Sequence, residues 1–122
     1  MIDLETLSTT MSAAIIQIGF AAFNEEEVVK SFRIDVMPDG TIDADTVGWW
    51  FNQIQLGTPN PITRKAVPLA DALMDLKSRL KELDTIWAHR ASFDFPIIGY
   101  AYHRMEMEMP WTHKQIRDTV TF

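Results

Sequence analysis

The chain has 122 residues, a formal net charge of −6, 47% hydrophobic residues and no cysteine. That length and apolar content fit one globular domain over residues 1–122 with a single core, and exclude a disordered chain. The acidic balance excludes a broad basic surface of the kind that holds duplex nucleic acid, and the missing thiols exclude disulfides, thiolate metal sites and cysteine nucleophiles, which fits a reducing, cytoplasmic setting.

In chain order, Ile2-Asp3-Leu4-Glu5-Thr6 reads as a first strand. Residues two apart on a strand share a face, so Asp3 and Glu5 project together and Ile2 and Leu4 face the other way. Two carboxylates on a rigid strand make a hard oxygen site suited to Mg²⁺ or Mn²⁺. The competing reading is an acidic strand edge that discourages sheet-to-sheet aggregation. Ala13 to Phe23 is apolar at odd and even positions, which predicts a strand buried on both faces. It is too short to span a bilayer, is interrupted by Gln17 and Gly19, and no charged leader precedes it. After the polar turn Asn24 to Glu27, the segment Val28 to Val36 alternates, with Phe32, Ile34 and Val36 set against Ser31, Arg33 and Asp35. It predicts a strand with one wet face, closing a three-strand meander before the turn Pro38-Asp39-Gly40.

Asp43 or Asp45 caps a predicted helix whose apolar stripe is Val47, Trp50, Phe51 and Ile54 and which ends near Gly57. Thr58-Pro59-Asn60-Pro61 predicts an exposed loop. A second helix begins near Pro68 and buries Leu69, Ala72, Leu73, Leu76, Leu80 and Leu83. A short buried strand, Thr85 to Ala88, leads into a helix from Phe93 to Met107 with Asp94 at its start, and Gln115 to Phe122 predicts a last strand. Met105, Met107 and Met109 read as helix-end packing. Strands followed by alternating helices and strands predict an α/β fold, a mixed sheet covered by helices. Asp3, Glu5 and Asp94 then gather at or beside strand ends, where such sheets collect functional groups.

Taken in order and spacing, Ile2-Asp3-Leu4-Glu5-Thr6, the central Asp45-Thr46-Val47-Gly48-Trp49-Trp50-Phe51-Asn52-Gln53, and Ala91-Ser92-Phe93-Asp94 resemble the DEDD superfamily of 3′→5′ exonucleases. Trp111 and Arg117-Asp118-Thr119 extend the resemblance towards the phage DexA-like and small bacterial exoribonuclease branch, relatives of ribonuclease T. The resemblance implies a ribonuclease H-like fold and hydrolysis of phosphodiester bonds at single-stranded DNA or RNA 3′ ends, releasing nucleoside 5′-monophosphates. It implies two metal ions, Mg²⁺ or Mn²⁺, with Asp3 as the bridging ligand, Glu5 as a ligand that also orients the attacking water, and Asp94 as a ligand directly or through water. Ions about 3.5–4 Å apart activate the water and stabilise the leaving 3′ oxygen. Substrate contacts fall on Thr6, Leu7, Trp49, Arg90 and Phe93. Trp49 and Trp50 lie about 100° apart on a helix and cannot share one face fully, so Trp50, on the apolar stripe, packs, and Trp49 is either accessible to stack on a terminal base or packed as well. Arg90 is either a phosphate contact or a solvent-facing turn residue, Phe93 a wedge between bases or a core residue, and Thr6 a contact to the 3′ end or the close of the first strand.

The family's fourth acid and general base belong to a later His-x4-Asp or Tyr-x3-Asp motif on a C-terminal helix, and the sequence reaches Phe122 before one. The expectation is a C-terminally shortened domain lacking that helix, in which Asp118, His103 and His113 do not take over its roles. Two other readings stay open. One is a non-catalytic nucleic-acid-binding or regulatory relative; the other is a fragment that completes its sheet and site with another chain or as a homo-oligomer.

Overall fold

A computed structural model describes residues 1–63, 65–81 and 83–119. The elements are β1 (Ile2–Thr6), β2 (Ile15–Phe23), β3 (Val28–Asp35), α1 (Ala44–Gln55), α2 (Leu69–Leu80), β4 (Ile86–Ala88), α3 (Ala91–Arg104) and β5 (Ile116–Asp118). They build a five-stranded sheet in the order β3-β2-β1-β4-β5. The meander β1-β2-β3 is antiparallel, whereas β4 runs parallel to β1 and β5 parallel to β4. This mixed sheet with its three helices is an α/β fold in a ribonuclease H-like arrangement. Among the described residues no helix is long and apolar enough to cross a membrane.

The period-two pattern of β1 sends Ile2 and Leu4 into the main core, where they meet Ile18, Phe20, Ile34 and Val36 from the meander and the apolar stripe of α2. That stripe, Leu69, Ala72, Leu73, Leu76 and Leu80, is fully buried as its spacing predicts; Leu83 lies past the helix end and is only partly buried. Tyr102 of α3 joins the same core and donates its hydroxyl to the Leu73 carbonyl at 2.7 Å, while Trp111 packs edge-on against both Phe95 and Tyr102. Met105 and Met107 pack against this core as helix-end residues, but Met109 is half exposed.

On the other side, Leu7, Ala14, Ile16 and Trp50 form a second cluster. Ile15, Ile16 and Ile18 are thus covered on both faces of β2, while the strand's far end is not: Phe23 is exposed. The predicted α1 stripe is corrected, since Trp50 alone of it is buried and Phe51 is 63% exposed. The α3 boundaries are corrected as well. The helix begins two residues earlier than its sequence pattern indicates, because Arg90 takes a left-handed turn (φ 62°, ψ 64°) directly after β4, and it ends at Arg104 rather than Met107. The last predicted strand is confined to Ile116–Asp118, and its remainder at 120–122 lies outside the described residues. Gly40 (φ 135°) closes the turn after β3, where a Cβ would meet the Ser12 carbonyl at 2.5 Å; next to it, Asp39 pairs with Arg104 of α3 at 3.3 Å.

Candidate active site

The site grows from a stretch of β1 edge that no strand covers among the described residues. β4 stops at Ala88, opposite Ile2, and the left-handed turn at Arg90 swings α3 back across the edge beyond it. Asp94 in the first turn of α3 is thereby brought against β1, and its Oδ1 accepts the Leu4 N–H at 3.2 Å. Leu4 lies between Asp3 and Glu5, so this bond ties the second acidic motif to the first across 90 positions of sequence. Asp3 is exposed and Glu5 half-buried on the face opposite Ile2 and Leu4. Gly19, paired with Asp3 across β2, carries no side chain beside it.

Asp94 is 2% exposed, and burial pushes its carboxyl up to about 7. The Leu4 hydrogen bond opposes that shift; the charges of Asp3, Glu5 and Asp118 add to it. Burial, and then Asp3, likewise raises Glu5. Among the described residues no Lys or Arg forms an ion pair with Asp3, Glu5 or Asp94. Nor do three acidic or histidine side chains close into a ligand cage among them. The carboxylates form an open electronegative group that no ion pair among the described residues offsets. Its donors are all carboxylate oxygens, the ligand type that hard divalent cations prefer.

Beside Glu5 opens a cleft of about 710 Å³, walled by Thr6 from β1, by Asp43, Asp45 and Trp49 from the start of α1, and by Phe93 from α3. Its shape is held by a hydrogen-bonded corner. Buried Ser8 donates its hydroxyl to Asp43 Oδ2 at 2.6 Å, Thr6 Oγ1 donates to the Ser8 carbonyl at 2.6 Å, and Trp50 Nε1 donates to the Thr6 carbonyl at 3.0 Å. Trp49 stands edge-on to Trp50, 4.9 Å between ring centroids, and remains 53% exposed.

A family model described as the 3′-5′ exoribonuclease Rv2179c-like domain matches residues 1–122. The chain belongs to the Rv2179c-like exoribonuclease family. No curated protein matches it significantly.

In this Rv2179c-like domain the fold brings Asp3, Glu5 and Asp94 within electrostatic reach of one another, and sets Thr6, Trp49 and Phe93 around the cleft that Glu5 lines. Two residues expected to contact substrate are not brought there. Leu7 is buried with Ala14, Ile16 and Trp50, and Arg90 is exposed at the turn before α3, outside the cleft lining. The histidines lie elsewhere: His89 Nδ1 is 2.9 Å from Thr119 Oγ1, His103 stacks near Tyr100, and His113 lines a separate apolar pocket. Sequence reasoning missed four contributors. Asp118 adds like charge to Asp94 because β5 pairs it with Ala88, a parallel pairing that no local pattern encodes. Asp43 and Asp45 read only as helix caps, yet both line the cleft, and Ser8 carried no signal at all.

Proposed function

We propose that the chain is a divalent-cation-dependent 3′→5′ exoribonuclease of the DEDD type, in the branch of the DexA-like enzymes and ribonuclease T, that shortens single-stranded 3′ ends and releases nucleoside 5′-monophosphates. The observation that carries this reading is Asp94, buried and pinned by the Leu4 N–H beside two further carboxylates, with no Lys or Arg among the described residues paired to any of the three. Membership in an exoribonuclease family supports the same direction of attack and favours RNA over DNA.

Asp3, Glu5 and Asp94 would hold Mg²⁺ or Mn²⁺, which when bound supplies an activated water and a counter-charge for the leaving 3′ oxygen. The protein's part is placement. The Leu4 N–H fixes Asp94, and Asp94 must give up its proton for the carboxylate to ligate. Glu5 is the one of the three acids that lines the cleft, which sets it between the ion-binding group and a bound nucleoside and lets it orient the attacking water. Trp49, braced by Trp50, offers a flat apolar face to the terminal base, a contact that tolerates any sequence.

The test is degradation of a 5′-labelled single-stranded oligonucleotide, as RNA and as DNA, with Mn²⁺, with EDTA, and by Asp3→Ala. The reading predicts a ladder that shortens from the 3′ end, faster on RNA, and needs both the metal and Asp3. An uncut oligonucleotide in the presence of folded protein and Mn²⁺ would leave a binding-only relative.

A further inference from the structure

The ionisable side chains in the described lining of the cleft are all acidic, so the phosphates of a bound strand find no partner there. Positive charge lies on the other side of β1, along β4 and β5. Pairing of these strands joins two stretches of sequence, 85–93 and 109–117, that carry Arg90, Lys114 and Arg117 and no acidic residue, in a chain of net charge −6. Asp84 and Asp118 bound them. Arg90, Lys114 and Arg117 are exposed, and among the described residues none of the three forms an ion pair, whereas Arg33, Arg79 and Arg104 do. Sheet register fixes where they stand. Ile2 lies opposite Ala88 and Ile86 opposite Ile116, and all four turn to the main core, so Arg117 points to the face that carries Asp3 and Glu5. β5 is two strand spacings from β1, about 10 Å. Its end touches the carboxylate group, since Asp118 adds like charge to Asp94. Arg117 is held in place: its Nη1 donates to the Lys114 carbonyl at 2.6 Å and to the Ile116 carbonyl at 2.9 Å. Those bonds bring the guanidinium beside Lys114 and leave Nε and Nη2 to meet a phosphate.

We propose that Lys114 and Arg117 on the β5 side, with Arg90 at the turn before α3, form a basic flank that holds the phosphate backbone of single-stranded RNA on the 5′ side of the bond to be cut. This rests on the exonuclease reading and deepens it. The occupant follows from charge and continuity: cations without carboxylate partners complement a polyanion, and this group begins where the carboxylate site ends. With the 3′-terminal nucleoside in the cleft and the scissile phosphate at Asp3, Glu5 and Asp94, the strand leads across β4 to β5. A dinucleotide stops short of the flank and a longer strand reaches it. Grip therefore depends on length and weakens as the strand is consumed.

The test measures kcat/KM in Mn²⁺ on a 5′-labelled uridine dinucleotide and decanucleotide for the wild type, Lys114→Glu, Arg117→Glu and, as an exposed cation on β3, Lys30→Glu. The wild type should favour the decanucleotide at least about tenfold. That ratio should fall severalfold in Lys114→Glu and in Arg117→Glu and keep its wild-type value in Lys30→Glu; comparing two substrates on one protein cancels general losses of folding or activity. The salt dependence of the decanucleotide reaction should also become shallower, by about 0.7 in the log–log slope for each phosphate contact removed. A wild type indifferent to length, or a ratio unchanged in Lys114→Glu and Arg117→Glu, would overturn the flank. An equal fall in Lys30→Glu would assign the effect to net charge and overturn it too. If no protein shortens either substrate, the exonuclease reading fails by itself, and the flank is read instead by fluorescence anisotropy of a labelled decauridylate in Mn²⁺. Binding at least about threefold weaker in Lys114→Glu and Arg117→Glu than in Lys30→Glu supports the flank; equal affinities, or no binding by the folded wild type, overturn it.

Discussion

At Asp94 folding and chemistry pull in opposite directions, because the burial that fixes the carboxyl against Leu4 also penalises its charge. Its folded-state value of about 7 lies above the roughly 3.9 of an unfolded Asp, so between those values the folded chain holds a proton that the unfolded chain has lost. The stability this group contributes is therefore complete below about pH 4, falls as pH rises to about 7, and is flat beyond, a change on the order of a few kcal/mol. Asp94→Asn keeps an acceptor for the Leu4 N–H and cannot ionise. In EDTA it should be more stable than the wild type by about 1–3 kcal/mol near pH 8, with the gap closing towards pH 4, as read by urea denaturation across that range. Parallel pH curves would show that the carboxyl is not strained. The shared face of Asp3 and Glu5 was legible in the sequence, since strand periodicity alone sets it. The bond from Leu4 to Asp94 was not, because it depends on where β4 stops and how sharply Arg90 turns.

At the scale of elements, α1 shows why an apolar stripe is not evidence of burial. Val47, Trp50, Phe51 and Ile54 recur at helical spacing, yet Trp50 alone is buried, where α1 packs on the small cluster of Leu7, Ala14 and Ile16. Trp50→Ala should cost roughly 3–5 kcal/mol, since it removes a packed ring and the Nε1 bond to Thr6. Phe51→Ser, at a position 63% exposed, should change stability by less than about 0.5 kcal/mol. Comparable losses in chemical denaturation of the two variants would mean that α1 packs differently from the description given. In α2 the start and the stripe from Leu69 to Leu80 were legible, because a helix that covers a sheet face buries the positions its period selects, but its end was not, since it stops before Leu83.

Across the whole molecule, the meander and the alternation of helices with later strands were readable from pattern. The parallel pairings that insert β1 between β2 and β4 were not, although they decide everything at the site: they bring the turn after β4 beside Asp3 and set Asp118 near Asp94. Under the proposed function, a net charge of −6 and a cleft whose described ionisable lining is all acidic would place the attraction for RNA at the cleft on bound cations and on stacking against Trp49 rather than on a basic surface. That dependence makes cation binding the central claim. The most direct measurement is calorimetric titration of Mn²⁺ into the wild type, Asp3→Asn and Asp94→Asn. The account predicts binding by the wild type, at least about tenfold weaker in each variant, and weaker at about pH 6 than at pH 8 because Asp94 must first release its proton. No binding by folded wild-type protein, or equal binding by all three, would contradict it.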